Sequence, residues 1–284
     1  MQFFLNFIAY FGIIFLFSVA FFFQYRMFRF FDLSLGAIFL AGAYPFVAVV
    51  QAGQQEILGI LLAAIIAGMM GVIFIEFLVR PLARLGASPL DLTLCALGVY
   101  IIGLNVIALI FGDEIRRPAG LEISKPISFA TGVISGVQFS LISLALLSFI
   151  VIILVLRLTP TGRVFRALSD SPNLARDLGL PIGPAIIWAT ATGAALVGMS
   201  GALIAADVGI RPTTAFPFII PGLAAVLAFG GRSLAQIFLG AGVVAFTGEL
   251  GGLLFGQQWR ELSIFAIVAI FLAVRTRLAP AVRR

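Results

Sequence analysis

The chain has 284 residues, 62% of them hydrophobic and only 11% charged, with a formal net charge of +6. A soluble domain carries about a quarter charged residues, so this chain lacks the polar surface to cover itself in water. The basic excess lies between long apolar runs, which argues against a nucleic-acid partner and for the loop asymmetry of a membrane protein.

A spanning helix needs about 20 mainly apolar residues. Nine stretches qualify or come close, near 3–23, 30–50, 57–79, 90–111, 134–156, 185–206, 213–231, 234–256 and 262–274. The expected fold class is all-α, a polytopic transmembrane helix bundle forming one domain over residues 1–284. The first run is Phe-rich and lacks both a basic start and a small-residue cleavage site, so it reads as a retained helix. The second carries Asp32 at its near end. In the third, Glu76 stands four residues before Arg80, the spacing of a helical ion pair and an anchor at the cytoplasmic edge. The fourth holds Cys95, read as inert packing, and Asn105, an amide suited to interhelical hydrogen bonding. The 112–133 loop that follows mixes Asp113, Glu114, Arg116, Arg117, Glu122 and Lys125 with Pro118 and Pro126. It reads as a solvated connection, with a cap or a docking surface as the alternatives.

The 157–184 loop is the most informative segment. Pro160 and Gly162 break the incoming helix, and two short helical turns follow, separated at Ser171-Pro172. Leu174, Ala175 and Leu178 share one face of the second turn, Gly179 can end it in the left-handed conformation, and Pro181 bars continuation. The residues leave two readings open: a basic knob that sits in a cleft on another protein, or an amphipathic loop on the membrane surface.

Beyond it, Gly193, Gly198 and Gly201 with Ala194, Ala195 and Ala202 give the sixth span a small-residue face for close helix packing. The seventh contains Pro217 and Pro221 and the ninth is short, so eight spans is the alternative count. Glu249 is the one charge well inside a span, where ionised groups cost roughly 2.5–3.5 kcal/mol on insertion scales. It is a candidate to line a solute path, or else to cap a neighbouring helix.

Loop charges orient the bundle. With the N-terminus outside, 13 of the 18 basic residues fall on the cytoplasmic side, among them Arg26, Arg29, Arg80, Arg84, Arg157, Arg163 and Arg166. Five fall outside: Arg116, Arg117, Lys125, Arg211 and Arg260. The positive-inside rule therefore favours N-out and C-in.

Absences narrow the chemistry. There is no histidine, and Lys125 is the one lysine and lies outside any glycine-rich loop, so His-based catalysis and a P-loop are both missing. One cysteine cannot form an internal disulfide or a multi-Cys metal site. No catalytic constellation is visible, and an enzyme is not expected.

Four stretches, in order, carry a resemblance: FDLSLGAIFLAGAY; EFLVRPLARLGASPL with ALGVYIIGLNVIALIFG; GRVFRALSDSPNLARDLGL with ATGAALVGMSGALIAADVG; and AAVLAFGGRSLAQIFLGAGVVAFTGELGG. Together they resemble the permease subunits of ABC importers for branched-chain amino acids. The resemblance implies a multi-pass protein of the plasma (inner) membrane that works with a paralogous permease subunit, two ATPase subunits and an external solute-binding protein. ATP and Mg would be bound by the ATPase partners, and no cofactor by this chain. It also implies that the 157–184 loop is the coupling element, with Gly162, Arg163, Arg166, Ala167, Ala175 and Gly179 holding its shape and contacts. Ser34, Leu35, Gly36 and Ala37 stand where the family commonly has Ala-His-Gly-acid. That departure bears on the solute, and a urea or amide permease would keep the same scaffold. Ser34, Gly36, Asn105 and Glu249 are the candidate solute-path residues. A self-sufficient secondary transporter or channel is the rival reading, but it would need a coupling-ion site that Glu249 and a proline-broken span support only thinly.

Overall fold

The computed structural model describes residues 2–118, 121, 126–129, 132–229, 231 and 233–278. Among the described residues twelve α-helices run in the order α1 (Gln2–Phe28), α2 (Leu35–Gln51), α3 (Glu56–Phe74), α4 (Arg80–Arg84), α5 (Pro89–Phe111), α6 (Gly136–Leu158), α7 (Pro160–Asp170), α8 (Pro172–Asp177), α9 (Ile182–Asp207), α10 (Phe216–Phe229), α11 (Leu234–Phe255) and α12 (Arg260–Leu278). A single π turn, Ile75–Val79, joins α3 to α4. Seven of the described helical segments are long and apolar enough to cross a membrane, and the 17-residue α2 is a shorter apolar helix. With α12, nine helices occupy the nine stretches expected from sequence.

Local chemistry fixes where the helices begin. Ser88 and Asp91 form a reciprocal capping box at α5, and Ser135 with Gln138 does the same at α6. Thr159 accepts from the Gly162 N–H at 3.1 Å, with Pro160 in the first position of α7. The seventh apolar stretch is less broken than its prolines suggest. Pro217 falls in the first turn of α10, where its missing N–H costs nothing, so only Pro221 is interior.

The core gathers on α1 and α9, the two most enclosed spans. Phe15, Phe17, Phe21 and Phe23 of α1 are fully buried. Between α2, α3 and α9 the contact is made of backbone. A Cβ on Gly42 would stand 2.5 Å from the Cα of Gly198, and one on Gly198 would overlap Ala67 and lie 2.8 Å from the Ala63 carbonyl. Outward-facing positions are apolar: Leu109 is 86% exposed and Phe77 73%. Such a surface is at home only in lipid or against another apolar chain.

Two ends of the bundle are tied separately. At one, Arg26 pairs with Asp170 at 2.8 Å, Arg29 reaches the Ser169 carbonyl, and Arg80 pairs with Glu76 and donates to the Gly183 carbonyl at 3.3 Å. At the other, Arg116 and Ile210 exchange backbone hydrogen bonds of 2.9 Å, and Ser135 donates to Asp207. The loop there is not wholly irregular: Pro126–Phe129 and Gly132–Ser135 form a two-stranded antiparallel hairpin, a departure from an all-helical chain. Glu122 and Lys125 lie outside the described residues, as do Arg232, Arg283 and Arg284.

The arginine-rich end is the cytoplasmic one by the positive-inside rule. A reporter fused after Arg284 should therefore read cytoplasmic, and one inserted in the 112–133 loop external. The opposite reading at either position would overturn this orientation.

Candidate functional site

Two features can carry function, one at each end. The first is a cavity of about 300 Å³ at the external end, between α1, α6, α9, α10, α11 and the start of α12. Its floor is apolar, with Ile13, Leu141, Ile204 and Phe218. Its polar lining includes Tyr10, Gln138, Asp207, Glu249, Gln257 and Arg260. Glu249 and Arg260 form an ion pair across the α11–α12 turn, where Gly256 takes φ +98 and lets the chain reverse. The Arg260 guanidinium also lies 3.5 Å above the Tyr10 ring centre, a cation–π contact that fixes its face. The Glu249 side chain is 7% exposed and that of Arg260 26%, so the guanidinium is the more accessible partner.

Of the four candidate path residues, Glu249 alone lines this cavity. Ser34 is fully buried, with both its hydroxyl and its N–H donating to Asp32 in the α1–α2 connection. Gly36 is a packing glycine, since a Cβ there would stand 2.5 Å from the Tyr100 ring. Asn105 does not bond between helices as expected. It is exposed on the outer face of α5 and donates to the Ile101 carbonyl of its own helix at 2.7 Å. The structure does not bring these three to Glu249. Sequence reasoning placed Arg260 in an outer loop and did not connect it with Glu249. The signal was a carboxylate shortly before a glycine-ended helix and an arginine opening the next.

Asp32 is wholly buried, and its Oδ2 has no hydrogen-bond partner. Burial pushes its carboxyl up to about 7, and the hydrogen bonds from Ser34 only partly oppose that. In the unfolded chain the same group ionises near pH 4. As pH rises from about 4 to about 7 the unfolded state sheds this proton while the folded state keeps it, so stability falls across that window and levels off above it. Asp32→Asn should therefore gain thermal stability over wild type as pH is raised from 5 to 8, by several degrees at the top. A constant difference across that range would show that burial does not govern Asp32.

The second feature is the cytoplasmic knob. α7 is a full 11-residue helix rather than a single turn. Its inner face buries Phe165 and Leu168, with Phe165 edge-on to Phe23 at 5.3 Å. Gly162 is buried where a Cβ would meet the Leu156 backbone at 2.5 Å, so α7 can fold tightly back on α6. Arg163 and Arg166 point outward and exposed, and Ala167 is half-buried. Gly179 takes φ +65 and ends α8, as expected. The shared face of α8 needs correction. Ala175 is 2% exposed, whereas Leu174 and Leu178 are 57% and 67% exposed. Positions i and i+4 share a face, and the residue after i is turned about 100° from it. Ala175 thus packs within the chain, and the two leucines form the outward apolar pair. Beside the knob, Arg26, Arg157 and Arg166 line a cleft of about 220 Å³.

No group of three or more His, Cys, Asp or Glu side chains is placed to hold a metal ion among the described residues. The family model described as branched-chain amino acid transport system / permease component matches residues 3–274. Among solved structures the chain is similar to PsaBC from Streptococcus pneumoniae in complex with Fab, at 15% identity and a TM-score of 0.54, covering 99% of this chain and 93% of that one. At that identity the likeness shows the fold. No curated protein matches significantly.

Proposed function

The chain belongs to the branched-chain amino acid transport system permease family, and from that premise we propose that it is the transmembrane permease of an ABC importer. It would move a small polar solute, a branched-chain amino acid by family, across the plasma membrane with ATP hydrolysed by partner subunits. The observation that carries this reading is the knob α7–α8. It is anchored to the core through Phe165 and Leu168, and it turns Arg163, Arg166, Leu174 and Leu178 towards the cytoplasm. A rigid foot with an apolar pair flanked by arginines fits a cleft on an ATPase and transmits its movement to α6, α7 and α9. A paralogous permease and an external solute-binding protein complete the proposed assembly, and the 112–118 segment bonded to Ile210 is the surface nearest such an external partner.

The test is to purify the chain under mild conditions from the membrane in which it is expressed and to measure solute uptake. An ATPase subunit should co-purify, and vanadate, a phosphate mimic that traps such ATPases, should stop uptake. Uptake that persists with no ATPase present would favour a self-sufficient transporter.

A further inference from the structure

The cytoplasmic cleft beside the knob gathers three guanidinium groups around one small space. It lies where two spans end and a third begins. Arg26 is in the last turn of α1, Arg157 is in the last turn of α6, and Ser233 caps the start of α11. Arg166 of α7 lines the cleft from the knob. Among the described residues no acidic side chain lines it. Asp170 stands beside it, paired with Arg26 at 2.8 Å, whereas Arg157 and Arg166 have no ion-pair partner among the described residues. These like charges repel across a space of about 220 Å³. The start of the 22-residue α11 adds the positive end of its dipole. An anion relieves both. The rest of the lining narrows the choice of anion, because Phe22, Ile153, Phe165 and Leu234 are apolar. On the same turns of α6, Leu154 and Leu158 are exposed, a surface at home in lipid.

We propose that this cleft binds the phosphate of an anionic phospholipid from the cytoplasmic leaflet, with the start of an acyl chain on its apolar floor. The site depends on neither a solute nor an ATPase. Basic pockets between spans on the cytoplasmic side suit anionic headgroups, because that leaflet holds the anionic lipids. The exposed forks of Arg157 and Arg166 match phosphate oxygens two at a time. Arg26, held in place by Asp170, adds a fixed positive charge. A soluble phosphate would use these charges and leave the apolar floor empty, and a neutral lipid would do the reverse. Because the lining comes from α1, α6, α7 and α11, a bound lipid ties the knob to three spans. Lipid binding should therefore stabilise the folded chain.

The full chain, purified in an uncharged detergent, is followed by thermal unfolding, since a ligand that binds only the folded state raises the melting temperature with its concentration. Four probes are titrated: dioctanoylphosphatidylglycerol, dioctanoylphosphatidylcholine, dioctanoylglycerol and glycerol phosphate. The first joins a net negative charge to two chains. The second cancels that charge with choline, the third lacks the phosphate, and the fourth lacks the chains. Dioctanoylphosphatidylglycerol should bind about ten- to hundredfold more tightly than any of the others, the range set by hydrogen bonds to charged groups. Equal action of glycerol phosphate would make this a site for soluble phosphate esters. Equal action of the choline lipid would make it a groove blind to charge, and no response to any probe would mean no lipid site. Each of these results overturns the proposal. Arg157→Gln should weaken dioctanoylphosphatidylglycerol by about tenfold or more, and adding Arg166→Gln should weaken it again. Arg84→Gln removes the same charge from an exposed arginine of the same end but outside the cleft, and should leave the affinity as it is. An equal loss in Arg84→Gln and Arg157→Gln would mean diffuse attraction to any cytoplasmic arginine, which also overturns the site. Arg157 and Arg166 are exposed, so the lipid-free melting temperature should stay at wild type. Should the double variant unfold, the four probes on the wild-type chain decide the matter. A chain that co-purifies with an ATPase and transports, yet shows no preference for the anionic lipid, refutes this inference alone.

Discussion

Replacing Leu174 and Leu178 together by aspartate should strip the ATPase from the complex and abolish uptake, while the chain still inserts and folds. Both side chains are more than half exposed in the isolated chain, so the change removes no internal packing. In a docked knob both would be covered. Burying a leucine contributes about 1.5–3 kcal/mol, and placing a charge there adds a desolvation cost. The pair should therefore weaken docking by a hundredfold or more, each 1.4 kcal/mol being tenfold. Co-purification and uptake read the loss, and the melting temperature of the isolated chain shows that the fold is intact. Retained ATPase and retained uptake would rule out the knob as the coupling element. Ala175→Trp is the poorer probe. Ala175 is already buried within the chain, so the ring would damage the knob before any partner arrives.

Gly198→Ala should be strongly destabilising for the addition of a single methyl. The added Cβ overlaps Ala67 and comes within 2.8 Å of the Ala63 carbonyl, while Gly42 closes the opposite approach. No flexible side-chain end is present to yield, so α3 and α9 must separate. Overpacking costs typically 1–3 kcal/mol, and backbone contacts place this site at the top of that range. Gly98→Ala in α5 is the matched control, because nothing lies within 4 Å of its Cβ. Alanine there should be neutral, or stabilising by up to about 1 kcal/mol through helix propensity. Thermal unfolding in detergent should separate the two, with Gly198→Ala far below wild type and Gly98→Ala at or above it. Equal melting temperatures would show that the helices are not held by backbone contact.

These two glycines also mark what the sequence could and could not tell. A run of small residues in the sixth span announced close packing, and the arginine clusters announced the orientation. Both depend on composition along one helix or one loop. Which glycine touches which helix depends on three helices at once, so Gly98 and Gly198 look alike on the page and differ in space. Helical spacing grouped Leu174, Ala175 and Leu178, but α8, only six residues long, is too short for periodicity to say which side faces inward. Glu249 stood out because a carboxylate within a span is rare. Its partner, eleven positions on, was hidden because a charge at a helix start is ordinary by itself. Ser34 and Asn105 were singled out as polar residues in apolar surroundings, and both are satisfied locally, Ser34 by Asp32 and Asn105 by its own backbone. The 126–135 hairpin gave no warning, since four-residue strands fall below what alternation can reveal.

The π turn between α3 and α4 has a consequence for how the gene can vary. A π turn holds about one residue more than the α turn it replaces, so within Ile75–Val79 one position is surplus to the helical count. Its deletion would close the turn and leave the faces on either side where they are, Ala63 and Ala67 towards Gly198 and Arg80 towards Gly183. A deletion two turns earlier would rotate everything before it by about 100° and carry the alanines away from Gly198. Single-residue deletions in this span should therefore be tolerated in those five codons and purged from the rest of the helix.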